Sequence, residues 1–369
     1  MMRGAELSRA EREARVGAIL RAARRISDPH DTLGIEARRT LAAVTSLSLA
    51  SIELALLRHL ETDVAPSDLD KLVTRAGSAP RVLVVLSANV FTGIVRAVAL
   101  AVAAAPSVVV RPSSREAVLA PLLLRAIADQ QNSALFDLAT TLEPMAFDHV
   151  HVYGRRETIA AIRASCPADV TVRGHGPGFG VALVSADACA HRGSAPDLQT
   201  LAERLSWDIV PFDQRGCLSP RFAFVEGSRE DAERFAASLA AELEKREKEV
   251  PRGALTDQER SESSLYRQTL QAVGQCHEGV ASTVGVDVDP RAIVLPPTGR
   301  HFHVVRVTGA DEMAHLLAPC RGAITCIGAD DAGVRAARFA ALAPGARILP
   351  LGDMQRPPLD GPVDLREML

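Results

Sequence analysis

Apolar positions along the first part of the chain fall at helical spacing: Val16, Ile19, Leu20 and Ala23 form one stripe, and Leu41, Val44, Leu47 and Leu54 continue it. The stretch from Ala5 to about Val73, rich in Ala, Leu, Arg and Glu, therefore predicts a helical lead-in. The period then changes. Arg81 to Leu86 reads R-V-L-V-V-L, an unbroken apolar run of strand length, and Ser107 to Val110 is a second such run, closed by Pro112. Ala97–Ala105 between them has helix composition, so strand, helix and strand predict a parallel crossover unit. The alternation continues with a helix over Ala117–Ala128, a strand over His149–Val152, a helix over Thr158–Ala164 and a strand over Gly180–Leu183. These elements together predict a doubly wound α/β domain.

After Ser206 the character changes. A Pro- and Gly-punctuated loop from Pro211 to Pro220 leads into a strand over Phe222–Val225 and a charged helix over Arg229–Val250, which opens a second α/β unit. Within that helix, Glu242 to Glu249 (E-L-E-K-R-E-K-E) reads as a solvated face of mixed charge. Arg347 to Gly352 predicts one more strand, followed by a Pro-rich tail. The division expected is a lead-in over 1–75, a first α/β domain over 76–205, a second over 206–340, and a strand and tail over 341–369 that pack back on the first domain. No internal repeat is visible.

The 369 residues are 47% apolar and 24% charged, enough to bury a sizeable core. Forty-two Lys and Arg against forty-five Asp and Glu give a net charge of −3, which argues against coating of nucleic acid or polybasic membrane binding and for a small-molecule partner. The longest apolar run, Ala97 to Val110, has fourteen residues, contains Pro106 and is closed by Arg96 and Arg111, too short for membrane insertion. Met1 to Glu6 leads straight into a charged amphipathic stretch without a signal-peptide core, and the expectation is a cytoplasmic protein. Six scattered cysteines without a C-x-x-C pair favour neither a disulfide scaffold nor a metal site.

Four strand-end segments and one loop carry candidate chemistry. In Phe212-Asp213-Gln214-Arg215-Gly216-Cys217-Leu218-Ser219-Pro220 a cysteine sits past a glycine and beside Arg215. A thiolate needs positive charge or backbone donors, which this loop can supply, although a structural cysteine in a turn fits the spacing equally well. Asn89 follows the first strand as an amide donor or a helix cap. Arg111-Pro112-Ser113-Ser114-Arg115 ends the next strand with guanidiniums and hydroxyls suited to phosphate, or to a solvated turn. Gly154 and Arg155 follow a strand and open a helix, whose amides favour an anion such as a pyrophosphate. Gly174 to Gly180 is glycine-rich but precedes a strand, which points to close backbone approach rather than a phosphate cradle.

These segments, in this order and followed by Asp213-Gln214-Arg215-Gly216-Cys217-Leu218-Ser219-Pro220, resemble the aldehyde dehydrogenase superfamily. The D-Q-x-x-C-x-S-P form is most similar to its acyl-CoA reductase branch, typified by the fatty acid reductase subunit of bacterial bioluminescence. The resemblance covers roughly Arg81 to the C-terminus. It implies an aldehyde-dehydrogenase-like fold, with a Rossmann-type NAD(P)-binding domain and an α/β catalytic domain, and makes Cys217 the nucleophile and Asn89 the oxyanion donor. Arg111 then stands where the superfamily usually has an adenosine-ribose-binding lysine, with Ser113, Ser114 and Arg115 beside it and Gly154 and Arg155 at the cofactor phosphates. The superfamily's Glu-Leu-Gly-Gly stretch corresponds to about Gly174-His175-Gly176-Pro177, and its Glu-x-Phe-Gly-Pro stretch to about Pro296-Pro297-Thr298-Gly299-Arg300, so two carboxylates are missing. Ser114 replaces the acidic residue that closes the ribose motif.

The activity so implied is reduction of an acyl-CoA, or other acyl thioester, to an aldehyde through a Cys217 acyl-enzyme. The Arg111–Arg115 turn selects NADPH over NADH, because guanidiniums and hydroxyls can satisfy a 2′-phosphate. A homodimer or homotetramer and an acyl-transferring partner enzyme also follow from the resemblance. Three alternatives stay open: an NAD(P)-dependent aldehyde dehydrogenase working oxidatively, a non-catalytic acyl-binding relative, and thioester transfer without redox chemistry.

Overall fold

A computed structural model describes residues 6–366 apart from 132–133, 142, 144–145, 191–194, 274 and 331–340. The lead-in is helical throughout: α1 (Arg9–Ser27), α2 (Thr32–Val44), α3 (Leu49–Leu54) running into one π-helical turn, and α4 (Pro66–Ala76). Ser8 and Glu11 close a capping box at the start of α1, Asp31 caps α2 and Ser48 caps α3. The stripe read from the sequence is the buried face of α1, where Val16, Ile19 and Ala23 are fully enclosed. That face lies against α5 (Ile94–Ala104) and α6 (Leu119–Gln131).

Five parallel strands form the first sheet in the order β3-β2-β1-β4-β5, with β1 at Arg81–Val85, β2 at Ser107–Arg111, β3 at Asp137–Leu138, β4 at His149–Tyr153 and β5 at Thr171–His175. Helix α7 (Arg156–Ser165) connects β4 to β5. The centre of the sheet is apolar on both faces, as a parallel strand covered by helices must be. All eleven residues of α5 are buried, including Arg96.

The second sheet has seven strands in the order β12-β11-β6-β7-β10-β9-β8: β6 (Phe179–Val184), β7 (Pro220–Glu226), β8 (Gln275–Glu278), β9 (Thr283–Asp287), β10 (His301–Val307), β11 (Ile324–Ala329) and β12 (Arg347–Pro350). Among the described residues of this sheet, only the β8–β9 pair is antiparallel. Helices α9 (Leu198–Ile209), α10 (Arg229–Glu249) and α11 (Asp257–Val273) flank this sheet, and α8 (Ala186–Cys189) and α12 (Ala310–Leu317) complete the helices among the described residues.

Three expectations change here. The Gly180–Leu183 strand, counted with the first domain, pairs with β7 and β11 in the second sheet, and the boundary at 205/206 falls inside α9. An all-apolar strand fits either sheet equally well; the crossing at Gly176–Gly178 is what delivers it to the second. The closing strand β12 likewise pairs with β11, and only the tail after it returns to the first domain. There Arg96 donates to the carbonyls of Pro357, Pro358 and Gly361 at 2.8–3.0 Å, and Arg75 reaches Asp360 at 2.7 Å. Thirdly, the charged run on α10 is solvated only in part: Lys245, Lys248 and Glu249 are exposed, but Glu242 is 1% exposed and accepts from Gln199, and Arg246 is buried with its guanidinium 4.3 Å from the Trp207 ring.

No helix among the described residues is long and apolar enough to cross a membrane.

Candidate active site

In the first sheet the strand order reverses between β1 and β4, and the carboxyl ends of the strands there open into a cleft of about 720 Å³. Such a reversal is where open α/β sheets take ligands. Asn89, the Arg111–Arg115 turn, Gly154 and Arg155 all line this cleft from the first sheet, and Cys217 lines it from the second. The segments singled out in the sequence thus converge from two sheets on one site.

The cysteine loop owes its shape to the two residues that begin its motif. Phe212, Asp213 and Gln214 have successive φ of 55°, 49° and 65°, a left-handed run that costs energy for residues with side chains. Buried Asp213 holds it: Oδ1 accepts from Arg300 Nε at 3.1 Å and Nη2 at 2.8 Å, and Oδ2 from the Gly253 amide at 3.0 Å. Arg300 is itself fixed by Glu247 at 2.8 Å and the Val250 carbonyl at 2.7 Å. Gln214 Nε2 donates to the carbonyls of Pro220 and His301 at 2.7 and 2.9 Å, tying the loop to β7 and β10. A side chain at Gly216 would press to 3.2 Å from Ser219 Oγ and 3.3 Å from Val90 Cγ2, so the loop lies against the turn that carries Asn89. Phe212 also meets Phe91 edge-on at 5.6 Å.

Electrostatics around the thiol depart from expectation. Arg215 does not serve Cys217: its guanidinium is engaged by Glu259 at 2.7 and 3.1 Å, by Asp213 at 3.5 Å and by the Ala254 carbonyl at 3.2 Å. Two carboxylates far along the chain or hidden in the same loop compete for it, which adjacency in sequence cannot reveal. Burial pushes the Cys217 thiol up to about 11 and Asp364 adds to the rise, while Arg366 opposes it. The resting group is a thiol.

Asn89 is exposed at the cleft and caps nothing: a 3-10 turn, Phe91–Gly93, begins after Val90 and runs into α5, and neither start has a side-chain cap. Among the described residues Arg111, Arg115 and Arg155 form no ion pair. Ser113 Oγ accepts from the Arg115 amide at 3.3 Å. Glu116, the next carboxylate along the chain, is occupied by the amides of Val118 and Leu119 at 2.8 and 3.1 Å at the start of α6. The N-terminus of α7, just past Gly154 and Arg155, has no side-chain cap either, which leaves its amides available to an anion.

Four further residues of the cleft lie outside the candidate site residues, although one of them, His175, stands in the stretch that corresponds to the superfamily's Glu-Leu-Gly-Gly. Tyr153 ends β4 and His175 ends β5, their rings stacked at 4.3 Å and 12°. Gln355 and Asp364 come from the tail. The alternation His149-Val150-His151-Val152-Tyr153, polar on one face, hints at Tyr153.

Fold and site together define an aldehyde-dehydrogenase-like α/β protein. At 13% identity the chain resembles an oxidoreductase from Marinobacter aquaeolei over 94% of its own length and 79% of that chain, with a TM-score of 0.68. Aldehyde dehydrogenase 21 from Physcomitrella patens, solved with the product succinate, gives 14%, 96%, 80% and 0.66 in the same order. An NAD-dependent aldehyde dehydrogenase from Sinorhizobium meliloti gives 14%, 92%, 74% and 0.63. No curated protein sequence matches the chain. The model of the family described as Acyl-CoA reductase (LuxC) matches residues 74–369, and the chain belongs to that family. It is accordingly an aldehyde-related oxidoreductase.

Proposed function

We propose that the protein reduces an acyl-CoA, or another acyl thioester, to the aldehyde with NADPH through an acyl-enzyme on Cys217. The observation that carries this reading is the common cleft, in which a braced cysteine loop faces strand ends bearing unpaired guanidiniums, hydroxyls and open helix amides. Arg111, Ser113, Ser114 and Arg115 suit the ribose 2′-phosphate, and Gly154 and Arg155 with the α7 amides suit the pyrophosphate. When bound, the reduced nicotinamide supplies a hydride to the acyl carbon.

The chain's own part is nucleophile and charge stabilisation. Cys217 Sγ attacks the thioester carbonyl, the oxyanion is held by the Asn89 amide and the Cys217 backbone N–H, and the substrate thiol leaves. The exposed Asn89 amide, free of any capping duty, suits that task.

The test is consumption of NADPH and of NADH with acyl-CoAs from short to long chain, with aldehyde as product. Cys217→Ala should abolish acylation and aldehyde formation in a folded protein. Full activity of that variant, or oxidation of aldehydes without any reaction of acyl-CoA, would overturn the proposal.

A further inference from the structure

The tail brings to the cleft one polar side chain that the chemistry above does not use. Gln355 follows Gly352 and Met354, whose amides donate to the buried carboxylate of Asp208 at 2.6 and 2.9 Å and clamp the tail to the end of α9. Two residues on, Arg96 holds the Pro357 carbonyl at 2.8 Å. Between these fixed points the side-chain amide of Gln355 has a single orientation. Its Nε2 donates to the Asp208 carbonyl at 2.9 Å and to Ser219 Oγ at 3.0 Å, which uses both of its protons. A backbone carbonyl can only accept, so the NH2 end must face Asp208 and Oε1 is turned away from it.

Oε1 meets the cysteine loop. It lies 3.6 Å from the point that a Cβ on Gly216 would occupy, with Ser219 Oγ 3.2 Å from the same point, so the amide touches the loop on both sides of Cys217. Among the described residues nothing donates to Oε1, which opens on the cleft that Gln355 lines. Asn89 carries the other side-chain amide of the cleft, and no hydrogen bond among the described residues fixes which of its ends faces a ligand. Gln355 therefore presents an acceptor of fixed direction beside the residue that precedes the nucleophile.

Resting on the function proposed above, we infer that Gln355 is a ligand-recognition residue, whose Oε1 accepts a hydrogen bond from an amide N–H of the ligand next to the reacting carbon. Two ligands of the reaction carry such a group. A pantetheine thioester has its nearest amide two methylenes from the sulfur, and reduced nicotinamide has its carboxamide on the ring carbon beside the one that gives the hydride. Because Asp208 and Ser219 hold the amide in place before the ligand arrives, Oε1 needs no reorientation on binding and discriminates by the presence of the N–H.

Two ligand pairs test this. The acylation burst, release of one equivalent of thiol per site on mixing enzyme and acyl thioester without nicotinamide, is compared for an S-acyl-N-acetylcysteamine and for its counterpart with an ester oxygen in place of the amide N–H. Dissociation constants are compared for NADPH and for its 3-acetylpyridine analogue, which has a methyl group in place of the carboxamide NH2. In one pair the unmodified enzyme should favour the N–H ligand by about three- to tenfold, the weight of one neutral hydrogen bond, and Gln355→Met should abolish that preference; the pair that responds identifies the ligand. A merely structural amide would change both members of each pair equally, and that result overturns the inference, as does an unmodified enzyme indifferent to the N–H in both pairs. Absence of any burst from the unmodified enzyme, with acyl-CoA included, would instead overturn the acyl-thioester reading itself, while the NADPH pair would still judge Gln355.

Discussion

Replacing Asp213 by Asn keeps the shape of the side chain and removes the charge that braces the cysteine loop. Arg300, 1% exposed, then loses the carboxylate that meets its Nε and Nη2, retaining Glu247 and the Val250 carbonyl. Breaking a buried pair in this way costs about 3–5 kcal/mol. Because Glu247 still faces Arg300, the lower end, about 3 kcal/mol, is the expected loss. The left-handed run at Phe212, Asp213 and Gln214 loses a brace in the same step, at about 1 kcal/mol or more of strain per residue, so the loop relaxes and Cys217 shifts. The assay pairs urea denaturation with the acylation burst: the midpoint should fall by the equivalent of about 3 kcal/mol, and the burst should slow in parallel. Arg300→Met should cost less in the Asp213→Asn background than alone, with a coupling of about 0.5–3 kcal/mol. A stability loss under about 1 kcal/mol together with an unchanged burst would refute the claim that Asp213 shapes the loop.

Asn89→Ala should lower turnover on the order of 10²–10³-fold with little change in substrate affinity; lost thermal stability with normal kinetics would show a structural role instead. NADPH should be favoured over NADH by about one to two orders of magnitude, from charge-assisted contacts of roughly 1.5–3 kcal/mol, and Ser114→Glu should remove most of that preference; equal efficiency in the unmodified enzyme would sink the reading of the Arg111–Arg115 turn. Burial holds His59, His175 and His303 down at about 4, below the ordinary histidine value near 6.5. The unfolded chain therefore takes up protons first, and stability present above pH 6.5 is lost as pH falls toward 4. Urea midpoints that stay constant from pH 7 to pH 5 would contradict this.

The family-bearing segments and the order of their elements are legible in the sequence because they depend on short-range chemistry. Apolar runs such as Arg81–Val85 fit only a covered strand, and the spacing of Asp213, Gln214 and Cys217 within one turn is fixed by covalent geometry. The helical stripe of α1 is equally local. What tertiary structure decided are the pairings between distant residues. The strand Phe179–Val184 has no sequence mark of the sheet it joins, since a fully buried strand is apolar wherever it goes. Glu242 and Arg246 look like solvent-facing charge until Gln199 and Trp207, on another helix, cover them. Arg215 adjoins the cysteine loop yet is drawn to Glu259, forty-four residues on, because a carboxylate at 2.7 Å outweighs any thiol nearby. His175 and Tyr153 share a cleft because β4 and β5 pair in register, a contact between residues twenty-two positions apart that only the folded sheet brings together.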